Sequence, residues 1–202
     1  MTRIIGGEAG GRRLRTPPGD ATRPTADRVR EALFSALEAE FGTLRGLRFL
    51  DLYAGSGAVA LEAASRGAVD VTAVESDRAT ARLVTANAAA VRLPLDVRPQ
   101  PVAAVLGVPP AAAYDVVFLD PPYPLPDADV VQVLSLLVSR DWVQAGGAVV
   151  VERSARSVEP AWPEGLELRR KKRYGETVLW YLRRDSDIGR HPVGGGGPTA
   201  VR

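Results

Sequence analysis

The chain contains no cysteine and a single histidine, His191, which lies in a glycine-rich tail. The lack of cysteine excludes disulfides, thiolate metal sites and the cysteine attack that usually precedes methylation of a pyrimidine ring carbon. A single histidine in such a tail argues against a serine–histidine triad and against a histidine metal site. We therefore expect no metal, and catalysis must depend on carboxylates, backbone groups and a bound cofactor.

Long apolar runs are also missing from the sequence. The longest, residues 130–138, is interrupted by Gln132 and Ser135 and is far shorter than the roughly 20 residues of a membrane helix. The amino terminus shows no apolar segment of the kind found in secretory signals. With 202 residues, 46% hydrophobic and 25% charged, the chain predicts one compact domain. We expect a cytoplasmic monomer without membrane contact.

Charge is segregated along the chain, although the net charge is only +2. Residues 1–30 carry +4, residues 31–165 carry −7 and residues 166–184 carry +5. An acidic body between two basic segments is typical of a protein that meets a polyanion, whereas a compositional bias toward arginine is the alternative explanation. The candidate nucleic-acid contacts are Arg3, Arg12, Arg13, Arg15, Arg169, Arg170, Lys171, Lys172 and Arg173.

Glycine and proline clusters divide the chain into three parts. Residues 1–24 predict a β-hairpin arm, because two short strands flank a glycine-rich link. Residues 25–184 form the predicted main domain. It begins with a helix that has Thr25 as its cap and runs to about Glu40. Residues 185–202 include four consecutive glycines and predict a disordered tail.

Strand and helix patterns alternate from residue 47 onwards. The predicted strands are 48–53, 70–75, 96–98, 114–119 and 147–152, and the predicted helices are 58–66, 78–91, 101–106 and 127–138. This alternation predicts an α/β fold with a doubly wound, mostly parallel sheet. Two further strands, 167–174 and 176–182, meet at a tight link and predict an antiparallel hairpin at the sheet edge.

A glycine-rich loop, residues 53–57, connects the first of these strands to its helix. The glycines allow a tight turn and let a ligand approach the N–H groups at the helix start. Glu75 ends the next strand, where a carboxylate can accept hydrogen bonds from both ribose hydroxyls of a nucleoside. The loop alone fits NAD as well as S-adenosylmethionine. Asp51 favours the latter, because its carboxylate would repel phosphates and attract an ammonium or sulfonium.

A second loop, Leu119-Asp120-Pro121-Pro122-Tyr123, follows an apolar strand and is expected at the same sheet edge. Its two prolines hold the backbone rigid, and its groups suit a planar NH₂ on a ring or amide. The Asp120 side chain and the Pro121 carbonyl can accept the two hydrogens, while Tyr123 stacks on the ring. The nitrogen lone pair would then point at a methyl group. Asp120 need not be a strong base, because the proton becomes acidic only once the nitrogen is cationic.

The motifs DLYAGSGAVALEA, VESD and LDPPY, in this order, resemble class I S-adenosylmethionine-dependent amino-methyltransferases. The chain is more closely similar to the RsmD-type family, through RIIGG and GRRL in the arm, RPTADRVREALFSAL and KKRYGETVLWYL. The resemblance covers roughly residues 2–183. It implies a Rossmann-like methyltransferase sheet and methyl transfer to the exocyclic N2 of a guanine in small-subunit (16S) ribosomal RNA.

The resemblance also implies roles for individual residues. Thr25 and Arg28 would border the methionine end of S-adenosylmethionine, and adenine would be read by backbone near Val102. The full cofactor set is Thr25, Arg28, Asp51, Tyr53, Gly55, Gly57, Glu75, Ser76 and Val102. The catalytic set is Asp120, Pro121, Pro122 and Tyr123. The arm and the late hairpin would face ribosomal RNA or the assembling small subunit.

Other functions fit parts of this pattern. The second loop also serves enzymes that methylate adenine N6, cytosine N4 or a protein glutamine amide, although no separate DNA-recognition domain is visible. A non-catalytic RNA- or nucleotide-binding module and an NAD-dependent oxidoreductase are alternatives of a different class. No set of hydride-handling residues is recognisable, which argues against the oxidoreductase.

Overall fold

A computed structural model describes residues 2–17, 24–122 and 125–186, without the side chains of Pro24 and Thr25. The predicted cap by Thr25, the residue Tyr123 and all but two residues of the predicted tail therefore lie outside the described part.

The described residues form a small and a large sheet flanked by helices. The small sheet pairs β1 (Thr2–Arg3) antiparallel with β2 (Arg13–Leu14). The strands of the large sheet are β3 (Arg48–Leu52), β4 (Val69–Val74), β5 (Asp96–Arg98), β6 (Tyr114–Leu119), β7 (Val143–Ser154), β8 (Leu166–Tyr174) and β9 (Thr177–Arg184). The helices are α1 (Pro24–Phe41), α2 (Ala58–Ser65), α3 (Arg78–Val91), α4 (Val102–Leu106) and α5 (Asp127–Ser139).

The large sheet has the strand order β5-β4-β3-β6-β7-β9-β8. Its first five strands are parallel, and β9 runs antiparallel to both β7 and β8. This confirms the predicted doubly wound sheet with a late antiparallel hairpin. The chain proceeds from β3 to β4 on one side and later to β6 on the other. The carboxyl ends of these strands therefore border the crevice where such folds bind ligands.

Strand β7 is twice as long as the predicted strand 147–152. The predicted start was wrong by four residues, since the strand begins at Val143. Gly146 and Gly147 form an irregularity inside it. Gly146 has φ 73°, and a Cβ on Gly147 would lie 2.8 Å from Val143 Cγ2. The pairing with β6 shifts register at this point. The glycines thus permit a local distortion of a continuing strand.

Both faces of the large sheet are covered by helices. On one face, Phe34 of α1 stacks on Phe49 of β3 with ring centroids 6.0 Å apart. On the other face, Trp142 and Trp180 are buried with the apolar residues of α4 and α5. Strands buried on both faces read as continuous apolar runs, which is the pattern of residues 116–119 in β6 and 148–151 in β7. Among the described residues, no helix is both long enough and apolar enough to cross a membrane.

The predicted arm packs against the main domain. The Glu62 carboxylate of α2 accepts hydrogen bonds from Ile5 N at 2.6 Å and Gly6 N at 2.8 Å. Gly7 lies so close to α2 that a Cβ there would be 1.9 Å from the Ser65 carbonyl oxygen. Apolar residues of the arm, including Ile4, are fully buried in the core beneath α1 and α2. The arm is therefore held rigidly on the domain.

Candidate active site

Two cavities share a wall at the carboxyl ends of the parallel strands. The first, which we call the loop cavity, measures about 220 Å³ and is lined by the β3–α2 loop and the start of α1. The second, the β7 cavity, measures about 520 Å³ and lies against the ends of β6, β7 and β9. Asp120 and Glu152 line both cavities. The predicted crevice is thus a pair of adjoining chambers.

The glycine-rich loop wraps the loop cavity through an unusual backbone path. Tyr53, Gly55 and Gly57 have φ values of 64°, 53° and 76°. A Cβ on Gly57 would lie 2.7 Å from Val84 Cγ1, so packing as well as φ requires glycine there. A Cβ on Gly55 would meet nothing within 4 Å, so this glycine faces open space. A left-handed tyrosine is uncommon and typical of functional loops.

Glu75 lies one residue beyond β4, beside the glycine-rich loop, although it is not part of the lining of the loop cavity. Its carboxylate accepts hydrogen bonds from Gly55 N at 3.0 Å and from Asp77 N at 2.8 Å. These bonds fix the carboxylate beside the glycine loop, and Ser76 is exposed next to it. The geometry leaves further lone pairs of the carboxylate for ligand hydroxyls.

Asp51 is a fully buried carboxylate at the base of the loop cavity. It accepts a hydrogen bond from Ala60 N at 3.0 Å. Burial, opposed by this hydrogen bond and reinforced by Asp120 and Glu75, raises the pKa of Asp51 to about 8. A buried carboxylate with neighbouring negative charge favours a cationic ligand.

Asp120 and the prolines follow β6 directly, at the predicted edge. Asp120 is exposed, and its N–H donates to Leu52 O of β3 at 3.4 Å. Pro121 is buried and Pro122 is exposed. The structure therefore brings the Asp120 carboxylate to the shared wall, while the predicted stacking residue Tyr123 lies outside the described residues.

Sequence reasoning missed Glu152, near the carboxyl end of β7. Burial, with the charges of Asp120 and Asp51, raises the pKa of Glu152 to about 8. The signal was available: Glu152 ends an apolar run beginning at Ala148, on a strand whose carboxyl end lies at the ligand crevice. Three carboxylates, of Asp51, Asp120 and Glu152, therefore line the loop cavity.

The arginine of α1 that lines the loop cavity is Arg30, whereas the predicted Arg28 is exposed. A helix turns about 100° per residue, so side chains two positions apart point in nearly opposite directions. Arg30 is buried and donates to Arg3 O at 2.6 Å, and its guanidinium lies 3.0 Å from the Asp27 carboxylate. Burial is the main cause that lowers the pKa of Arg30.

Val102 is buried at the start of α4 and lines neither of the two cavities. Its backbone role in reading adenine, like the role of Thr25, stays a prediction.

The arm arginines are exposed, but their surroundings differ. Arg12 donates to Val91 O of α3 at 2.8 Å and so helps to dock the arm. The backbone N–H and C=O of Arg15 bond to the Asn87 side chain, both at 2.9 Å, and Asn87 also donates to Ser56 O at 3.1 Å. The arm is thereby connected to the glycine loop. Arg3 and Arg13 are exposed on the two arm strands.

The basic residues of β8 are all exposed, but they do not form one stripe. Arg170 and Lys172 pair with Tyr181 and Leu179, whose side chains pack on the α1 face. Lys171 and Arg173 pair with Trp180 and Val178 of the opposite face. Alternation along the strand thus divides the positive charge between two faces. Two of these residues also form ion pairs: Lys171 lies 3.2 Å from the Glu159 carboxylate, and Arg169 lies 2.9 Å from the Glu167 carboxylate.

Comparisons with known proteins agree with this architecture. The chain superposes on the putative methyltransferase yhhF of Escherichia coli with a TM-score of 0.81 and 30% identity, covering 91% of this chain and 98% of that one. The magnesium protoporphyrin IX methyltransferase of Synechocystis, solved with bound S-adenosylmethionine, shares the fold at 16% identity, with a TM-score of 0.65 over 83% of this chain and 87% of that one. Fold and site together define a class I methyltransferase.

The chain belongs to the family described as Conserved hypothetical protein 95, whose family model matches residues 2–183. It is 32% identical over 188 residues to the "Ribosomal RNA small subunit methyltransferase D" of Escherichia coli, covering 91% of this chain and 90% of that protein. The family resemblance indicated by the motifs is therefore confirmed.

Proposed function

We propose that the protein transfers a methyl group from S-adenosylmethionine to the exocyclic N2 of a guanine in small-subunit (16S) ribosomal RNA. The observation that carries the proposal is the shared wall between the two cavities, which contains Asp120. A methyl donor in the loop cavity and an amine in the β7 cavity would meet at this carboxylate. The name of the Escherichia coli relative supports ribosomal RNA as the substrate.

The residues of the loop cavity fit S-adenosylmethionine. Bound there, the cofactor supplies an electrophilic methyl group on a sulfonium. Asp51 offers a buried carboxylate for positive charge, and the open space at Gly55 allows a ligand to approach the backbone. Glu75 is held where it can accept hydrogen bonds from ribose hydroxyls. Tyr53 and Gly57 shape the loop around them.

The second loop orients the acceptor amine. The Asp120 carboxylate and the Pro121 carbonyl accept the two hydrogens of the guanine N2, which directs the nitrogen lone pair toward the methyl group. When the new N–C bond has formed, the nitrogen is cationic and loses one proton to the Asp120 carboxylate. Because Asp120 is exposed, that proton can pass on to solvent. Pro122 and Tyr123 belong to the same loop, and Tyr123 would stack on the base.

The exposed basic residues of the arm and of β8 would contact the RNA backbone. The proposal includes the division into arm 1–24, methyltransferase domain 25–184 and tail 185–202. It also includes a cytoplasmic monomer that needs no metal and acts on ribosomal RNA or the assembling small subunit.

Transfer of label from S-adenosylmethionine to naked ribosomal RNA, to small subunits or to DNA tests the proposal. We expect label in small-subunit RNA. Asp120→Ala should abolish transfer and leave cofactor affinity in calorimetry nearly unchanged, because its partner is the acceptor amine. Asp96→Ala is the matched control, since Asp96 is exposed at the amino end of β5 and lines neither of the two cavities.

The alternatives give different outcomes in the same experiment. Label in DNA, in adenine or cytosine, or in protein would favour another amino-methyltransferase. Tight binding of NAD without binding of S-adenosylmethionine would favour an oxidoreductase. Binding of RNA without any transfer would favour a non-catalytic module.

A further inference from the structure

Glu152 occupies a position for which the proposed methyl transfer gives no role. It lies on β7, whose register with β6 pairs Phe118 with Val150 and Leu119 with Val151. Continuing this register by one residue brings Asp120 beside Glu152. Partners in neighbouring parallel strands point to the same face and lie about 5 Å apart. The two carboxylates therefore form an adjacent pair on one face of the sheet.

The cavities show where this pair of carboxylates faces. Glu152 and Asp120 both line the loop cavity and the β7 cavity. The next residue, Arg153, lines the β7 cavity but not the loop cavity, and its guanidinium lies 3.1 Å from the Asp127 carboxylate of α5. A base whose amine is held by Asp120 would thus present its neighbouring ring edge toward Glu152.

Guanine differs from the other amine-bearing bases in the hydrogen-bonding character of a ring nitrogen beside the amine. In guanine, N1 next to the 2-amine carries a hydrogen and is a donor. In adenine and cytosine, the ring nitrogen next to the exocyclic amine is an acceptor. An ionised carboxylate accepts hydrogen bonds and donates none, so it matches guanine alone.

We propose, on the basis of the proposed function, that the Glu152 carboxylate accepts the N1–H of the acceptor guanine and thereby selects guanine as the methylated base. Glu152 is then a specificity-determining residue that contacts the substrate next to Asp120.

The electrostatics of the site are consistent with this role. Burial and the charges of Asp120 and Asp51 raise the pKa of Glu152 to about 8 in the cofactor-free protein. The cationic methyl donor in the loop cavity would favour the ionised form, because opposite charge nearby stabilises a carboxylate. Glu152 would therefore become an acceptor when the cofactor has bound.

The test compares two substrates within one protein. Once the methylated guanine has been mapped, RNA is assembled with 2,6-diaminopurine at that position. This base keeps the 2-amine but has an unprotonated N1. Wild type should prefer the guanine RNA, because Glu152 cannot donate to the unprotonated N1. Glu152→Gln carries an amide NH₂ that can donate to it, so the ratio of kcat/KM for guanine over 2,6-diaminopurine should fall about tenfold or more.

The ratio does not depend on how much of the variant is folded. Glu164→Gln, a change of an exposed residue on the β7–β8 connection, is the control and should keep the wild-type ratio. Should Glu152→Gln transfer to neither RNA, the ratio of the Kd values of the two RNAs is measured instead, by competition for enzyme loaded with a non-transferring cofactor analogue that carries an ammonium in place of the methylsulfonium. Glu152→Asp serves as a second variant, which should still prefer guanine.

The outcomes separate the inference from the proposed function. A wild type that methylates no guanine N2 overturns the proposed function. A wild type that methylates guanine, together with a Glu152→Gln ratio equal to its own in transfer or in competition, overturns the role of Glu152.

Discussion

Individual carboxylates determine the character of this site. Asp51, Asp120 and Glu152 line one small cavity, and the buried members hold their protons to higher pH than ordinary acids. Such an arrangement weakens the fold in the absence of a ligand, since burial of charge is unfavourable. A cation in the cavity would offset that cost. Asp51, the carboxylate proposed to bind the methyl donor, is thus a source of instability in the free protein.

Asp51→Asn should make the cofactor-free protein less sensitive to pH. The pKa of Asp51 is about 8 in the folded protein and about 4 in an unfolded chain, so the folded state binds more protons between these values. Stability contributed by the protonated form is present below about pH 4 and is lost as pH rises to about 8.

Urea unfolding at pH 5.5 and 8.5 measures the effect. Wild type should lose stability toward pH 8.5, and Asp51→Asn should lose less, because its amide does not ionise. An equal loss in both proteins would contradict the buried, proton-holding state of Asp51.

The sequence alone predicted some site residues and missed others. Asp51, Gly55 and Glu75 could be placed because each stands at a strand end beside a recognisable loop. Glu152 ends the predicted strand 147–152, but no loop motif follows it. Arg28 was predicted from the family resemblance alone, and Arg30 was not considered, because helix phase depends on which face the core covers.

At the scale of elements, the β3–α2 loop and the arm are the parts whose conformation is most tightly fixed by backbone geometry and hydrogen bonds. The loop combines three left-handed residues with tight packing at Gly57. The arm is held by backbone bonds to Glu62 and Ser65 of α2. Both elements contribute to the loop cavity, the arm through Thr2. A substitution that disturbs either element should therefore alter the loop cavity.

Alanine at the two loop glycines should have different effects. Gly57→Ala combines a left-handed φ of 76° with a Cβ 2.7 Å from Val84, so we expect a loss of roughly 2–4 kcal/mol in unfolding free energy. Gly55→Ala meets nothing within 4 Å and should cost only about 1–2 kcal/mol. Its methyl group, however, would project into the cofactor's space and weaken S-adenosylmethionine binding. Urea unfolding and calorimetry distinguish the two, and equal destabilisation would contradict the packing described.

Glu62→Ala should destabilise the fold strongly. It would leave two arm N–H groups and the Arg66 guanidinium without their buried acceptor, which costs about 3–5 kcal/mol. Glu38→Ala is the control, because Glu38 also pairs with Arg66, at 2.9 Å, but is 40% exposed. That change should cost no more than about 1 kcal/mol. Similar unfolding midpoints for both variants would show that the arm is not held through Glu62.

Element order was predictable because the apolar runs and their spacing are regular. Several bounds, including α3 and β6, agree with the predicted 78–91 and 114–119. The start of β7 was not predictable, because a glycine pair reads as a turn unless the neighbouring strand is known. The division of the β8 charges between two faces follows from strand alternation and could have been anticipated.

At the scale of the whole molecule, charge distribution is the feature that bears on the RNA. The basic arm is fixed on α2, and the basic hairpin extends the sheet beyond β7. Both are rigid elements rather than free tails, so they can position a substrate as well as attract it.

Replacing Arg13 and Lys172 together with alanine should weaken RNA binding without affecting the cofactor. Both residues are exposed, whereas Arg12 is engaged with Val91. The KM for RNA should rise, and the log–log salt dependence should flatten by about 0.7 for each lost phosphate contact. Arg45→Ala, at the amino-end edge of the sheet, is the control and should match wild type. Superimposable salt titrations of the double variant and wild type would contradict these contacts.

The most direct test of the account is the identity of the methylated nucleoside. Small-subunit RNA that has been incubated with the protein and S-adenosylmethionine is digested to nucleosides and analysed by mass spectrometry. We predict N2-methylguanosine, absent when Asp120→Ala replaces the wild type. N6-methyladenosine or N4-methylcytidine instead, or no methylated nucleoside at all, would contradict the account.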